Sequence, residues 1–117
     1  MLPAILVCAG HLGDNFAPTS ATLTSPRGLA LSSAGELFIA VTGSHCVRRV
    51  NAAGTNITTV AGVCDGSGGD GGDGTATTVL LSGPTGVALS SDGGTLYIAD
   101  TGNNKVRRKQ QCLWLGL

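Results

Sequence analysis

The sequence predicts an all-β fold made of repeated antiparallel units, and three observations predict it. One long stretch is written twice, as "SPRGLALSSAGELFIAVTGSHCVRRV" from Ser25 and "GPTGVALSSDGGTLYIADTGNNKVRRK" from Gly83. The apolar and β-branched runs are short and are separated by Gly, Asn, Asp and Ser. Finally, the apolar residues follow no helical period of about 3.6, and Gly interrupts every run.

The two copies align residue by residue. Pro26 falls on Pro84 and Gly28 on Gly86. An extra glycine in Gly93-Gly94 shifts the register by one, after which Leu37, Phe38, Ile39 and Ala40 meet Leu96, Tyr97, Ile98 and Ala99. Thr42-Gly43 then meets Thr101-Gly102, and Val47-Arg48-Arg49 meets Val106-Arg107-Arg108.

Each unit reads as strands a to d in order. Strand a falls at 28–32 and 86–90, and "SSAG" or "SSDGG" makes a tight turn after it. Strand b falls at 36–41 and 95–100. The turns "TGSH" and "TGNN" follow, where Gly or Asn is expected to take positive φ. Strand c is 46–50 and 105–110, and "NAAGTN" leads into strand d at 57–61. Strand b is apolar on both faces, so it must be covered on both sides. Strand c carries charge and belongs further out. Apolar inner strands and polar outer ones describe a blade packed between two other blades, the pattern of a β-propeller. The predicted fold is therefore a partial β-propeller: two four-stranded antiparallel blades plus stubs of neighbouring blades.

Composition agrees. The chain has 117 residues, 19 of them Gly, and only 12% are charged, which suits many turns in one small domain. Seven basic and seven acidic residues cancel, which removes the usual electrostatic argument for nucleic acid or an anionic membrane. No segment approaches the ~18 apolar residues of a membrane span, so a soluble chain is expected, with its compartment left open. Cys8, Cys46, Cys64 and Cys112 form no C-x-x-C pair. Four small buried hydrophobes is the plainer expectation, with two disulfides as the alternative.

The stretches "GDNFAPTSATLTSPRGLALSSAGELFIAVTGSHCVRRV" and "SGPTGVALSSDGGTLYIADTGNNKVRR" resemble the NHL-repeat family. The hallmarks are the P-x-G-[VL]-A opening, D-G before strand b, "LYIAD", "TGN" and "VR". "ITTVAG" at 57–62 followed by "GDGG" at 69–72 adds to the resemblance. "ILVCAG" at 5–10 reads as strand d of a preceding blade rather than as a signal peptide. The expected organisation is thus 5–10 as that strand, 25–62 as the first unit, 63–82 as an inter-blade loop, 83–110 as the second unit and 111–117 as an atypical tail. Val41 stands where the second unit has Asp100, so the first unit lacks a side-chain cap at its b–c turn. Two units would leave an apolar face at each end, so flanking blades or self-association are expected to close the propeller.

Antiparallel strands alternate in direction, so the b–c turns and d–a loops emerge on one face. That face is the expected binding face, with His45, Asp70, Asp73, Asn103 and Asn104 as its candidate residues. The aspartates of "GSGGDGGDG" could donate oxygens to calcium, but a flexible inter-blade turn is the plainer reading, and no metal ligand is assigned. Arg48, Arg49, Lys105, Arg107 and Arg108 form the alternative, an RNA-binding surface, which the resemblance raises because some NHL propellers bind RNA. Against it, no aromatic is interleaved with these basic residues. The resemblance also raises a metal-dependent six-bladed hydrolase or lyase, whose ligands would come from several blades. Asn56-Ile57-Thr58 is an N-x-T sequon, relevant only in a secreted chain. The expectation is a non-catalytic scaffold that binds a protein partner, with no cofactor and no membrane.

Overall fold

The computed structural model describes residues 17–64, 68–69 and 80–110. The expected strand at 5–10, the tail at 111–117, and Asp70 and Asp73 lie outside the described residues, as do Cys8 and Cys112. Strands β1 (Pro26–Leu31), β2 (Leu37–Val41), β3 (Cys46–Val50) and β4 (Ile57–Gly62) pair in chain order as one antiparallel sheet. Strands β5 (Gly86–Leu89), β6 (Thr95–Asp100) and β7 (Lys105–Gln110) form a second antiparallel sheet in the same order. No α-helix occurs among the described residues; three short 3-10 turns connect or precede strands.

The repeat is visible in the turns. After β1, Ser32 accepts the Glu36 N–H on its hydroxyl (3.0 Å); after β5, Ser90 does the same for Thr95 (3.0 Å). In the second copy Asp92 adds a local cap. Its Oδ1 accepts the Ser90 hydroxyl (2.6 Å) and the Gly94 N–H (2.8 Å), and these two bonds hold the carboxyl below its usual range.

The main core lies between the two sheets. Phe38, Val47, Val60 and Ala61 of the first sheet meet Leu96 and Ile98 of the second, with Leu81 from the connection. Ala30, Val87 and Leu89 close its edge. Alternation along β2 sends Ile39 and Val41 to the opposite face, where they join Cys46, Leu23, Leu37, Val50 and Cys64 in a second cluster. Strand b is thus covered on both sides in the first unit, as its composition requires. In the second unit it is covered on one side only among the described residues: Tyr97 is 40% exposed and Val106 74%. Leu96 and Ile98 turn into the inter-sheet core, whereas no described residue packs over the other face.

Beneath this packing the inner strands β1 and β5 nearly touch. A Cβ at Gly28 would lie 2.6 Å from the Thr85 carbonyl oxygen and 2.7 Å from the Gly86 Cα. Both neighbours are backbone and cannot swing away, so Gly28→Val should push the two inner strands apart. We expect a loss of about 1–3 kcal/mol, read as a lower denaturation midpoint. A midpoint equal to wild type would show that the strands separate freely.

Candidate functional site

The two b–c turns share one construction. Each is a 3-10 turn, Thr42–Ser44 or Thr101–Asn103, ended by a left-handed residue, His45 (φ 58°) or Asn104 (φ 54°). Positive φ was expected at these turns; it falls on His45 and Asn104 rather than on Gly43 or Gly102. The two glycines serve a different need, close approach. Their N–H groups donate to the preceding d–a segments, Gly43 to the Thr24 carbonyl (2.9 Å) and Gly102 to the Ser82 carbonyl (2.7 Å). Any Cβ there would collide with those same residues.

The b–c turn of the first blade also grips the d–a segment of the second. The Thr42 hydroxyl donates to the Pro84 carbonyl (2.6 Å), and His45 Nδ1 accepts the Gly83 N–H (2.9 Å). The b–c turns and d–a segments therefore occupy one face. His45 is placed as a clamp between blades, with its ring also against Gly68.

In the second blade the equivalent position is built around Asp100, which is fully buried. Its Oδ1 accepts the Ser82 N–H (2.7 Å); its Oδ2 accepts from the Asn103 amide (2.9 Å) and from Arg107 Nε (2.7 Å). The Asn103 amide donates in addition to the Gly69 carbonyl (3.0 Å). The carboxylate thus ties together the b–c turn, strand β7 and Ser82 of the d–a segment, and the Asn103 it holds reaches Gly69 in the inter-blade connection. Asn104 stands exposed at the tip of the turn.

Where the first unit has Val41 in place of this carboxylate, the structure supplies a disulfide. Cys46, at the start of β3, bonds to Cys64, just past the end of β4, with Cα atoms 5.0 Å apart. This corrects the expectation of unbonded buried cysteines for that pair. Cys64 is near enough because β4 pairs Gly62 with Cys46, and a left-handed Cys64 (φ 59°) turns the chain back. A spacing of 18 residues gave no hint of the pairing. Nor did sequence reasoning assign the clamps at Thr42 and Ser82, whose roles depend on a neighbouring blade.

The basic residues are spread over different surfaces. Arg48 and Arg49 point to opposite faces of the first sheet, and Arg107 and Arg108 to opposite faces of the second. Arg48 is buried, Arg49 is ion-paired with Glu36, and Arg107 with Asp100. Lys105 and Arg108 are exposed. Lys109, packed between the sheets, has its pKa lowered first by burial and then by the charge of Arg49. Among the described residues no three His, Cys, Asp or Glu side chains gather as a metal site.

Two antiparallel blades, packed face to face and tied at one end by their b–c and d–a segments, define a segment of a β-propeller. The fold of solved structures agrees. An uncharacterised structural-genomics protein of Bacteroides thetaiotaomicron superposes over 85% of this chain and 24% of its own, with a TM-score of 0.70 and 20% identity. An auxiliary nutrient binding protein of the same organism superposes over 81% of this chain and 25% of its own, with a TM-score of 0.66 and 18% identity. Residues 81–108 match the NHL repeat, so the second blade carries that repeat. It is 38% identical over 99 residues to mouse Teneurin-1 and, to the same extent, to human Teneurin-1. The alignment takes in 74% of this chain and spans 4% of those relatives.

The two polar and covalent ties give separate predictions. Asp100→Asn keeps an acceptor for Ser82 but turns a neutral amide toward Arg107. We expect a loss of about 2 kcal/mol, measured by chemical denaturation; an unchanged midpoint would show that the buried charge contributes nothing. Replacing Cys46 and Cys64 together with Ala should cost about 3 kcal/mol, and reductant should lower the wild-type midpoint more than that of the double variant.

Proposed function

We propose that the chain is a non-catalytic binding module that presents the b–c and d–a face of its blades to a protein partner. The observation that carries this is the bracing of that face: Thr42 and His45 hold the second blade's d–a segment, and Asp100 holds Ser82. Loops braced in this way lose little conformational freedom on binding, so affinity is not spent on ordering them. Asn104 and, from the loop outside the described residues, Asp70 and Asp73 are the candidate contact groups. His45 and Asn103 shape the surface beside Asn104. The family likeness supports a scaffold role, and a fold shared with a protein described as nutrient binding is consistent with recognition on propeller loops.

The RNA-binding alternative draws less support. Arg49 and Arg107 each already face a carboxylate, and the remaining basic groups lie on separate surfaces.

A photo-crosslinking amino acid placed at Asn104 should capture a protein partner, whereas the same group at exposed Ala53, in the c–d turn at the opposite end of the blade, should not. Capture from Ala53 alone would overturn the assignment of the face. A salt-sensitive RNA complex abolished by Arg108→Ala would favour the alternative instead.

A further inference from the structure

The c–d turn of the first blade holds two asparagines in different states. Asn51 is consumed by the turn. Its Oδ1 accepts the N–H groups of Thr55 (2.8 Å) and Asn56 (3.0 Å), and its amide donates to the Thr55 hydroxyl (2.9 Å). Asn56 contributes only backbone: its N–H goes to Asn51, and its carbonyl accepts the Asn51 N–H (3.1 Å). The Asn56 side-chain amide bonds to none of the described residues, and residues 52–55 beside it are exposed.

Asn56 is also the asparagine followed by Ile57 and Thr58. The Thr58 hydroxyl is buried with no hydrogen-bond partner among the described residues. A buried, unsatisfied hydroxyl is a cost to the fold. Valine would fill the same β-branched space without it, and Leu6 stands at the matching position of "ILVCAG". Packing therefore gives no reason for a hydroxyl here, whereas an N-x-S/T acceptor requires one. The Cys46–Cys64 disulfide is independent of the sequon and points to the same compartment, because structural disulfides persist where the surroundings are oxidising.

We propose that Asn56 is an N-glycosylation site and that the chain matures in an oxidising secretory compartment. Asn56 Nδ2 forms a bond to the anomeric carbon of a lipid-pyrophosphate-linked oligosaccharide. The bond from that carbon to the pyrophosphate oxygen breaks, the lipid pyrophosphate leaves with the electron pair, and the amide gives up one proton. The glycan would project from the c–d end of the blade, away from the b–c and d–a face, and would leave that face open.

The test is to express the full chain in mammalian cells behind a cleavable secretion leader and to map peptides from both the medium and the cells. Cells and medium are pooled because glycan transfer precedes folding. The expected result is a glycan on the Asn56 peptide, removed by peptide-N-glycosidase with conversion to aspartate. It should be absent from Asn56→Gln and from Thr58→Val and retained in Thr58→Ser. Unmodified Asn56 in chains whose Cys46–Cys64 bond has formed would overturn the proposal, and so would a glycan that survives Asn56→Gln. In unglycosylated protein made in bacteria, Thr58→Val should melt no lower than wild type. A marked drop would show that the hydroxyl is kept for the fold and would overturn the reading of Thr58.

Discussion

A sheet whose central strand is apolar on both faces has to be sandwiched, and the rest of this structure follows from how that requirement is met. Phe38 and Val47 on one face of the first blade are buried against Leu96 and Ile98 of the second. Each such fully buried side chain contributes about 1.5–3 kcal/mol. The contact brings the inner strands so close that only Gly28 fits opposite Thr85. It also sets the b–c turn of one blade beside the d–a segment of the next, where Thr42 and His45 can clamp it. The candidate binding face is a consequence of blade packing, because its loops are fixed from below by the neighbouring unit.

The two units solve the same local problem with different chemistry. The chain end after strand b needs an anchor to what surrounds it. In the second unit a fully buried carboxylate supplies three bonds, one of them to a guanidinium that offsets its charge. In the first unit Val41 joins an apolar cluster, and the Cys46–Cys64 bond secures the same end of the sheet covalently. A polar node of this kind depends on complete satisfaction of its partners. A disulfide has no such demand but depends on an oxidising environment. The chain carries both, and the second choice links its stability to the compartment in which the sequon of the same blade would be used.

Much of the fold was legible in the sequence. Strands β3, β6 and β7 begin and end where the alternation of apolar runs and turn residues placed them, since local turn chemistry fixes those limits. The repeat showed that the units are equivalent, and equivalence carried the strand order with it. The site was less legible. Asn103 and His45 were recognisable as turn residues, but their bonds to Gly69 and Gly83 cross between blades. Arg107 reads as one of several basic residues until Asp100 is seen beside it.

By itself the sequence determined which segments are strands, which faces of them are apolar, and that one unit cannot bury its own surface. Those properties follow from the period of the side chains and the residue types at the turns, which act over a few neighbours. Only the tertiary structure decided that Cys46 meets Cys64, that Asp100 is a structural node, that the Asn51 side chain is consumed while that of Asn56 bonds to none of the described residues, and that the basic residues point to separate faces. Each of these depends on a distance across strands or between blades, and spacing along the chain carries no record of such a distance until the sheets are packed.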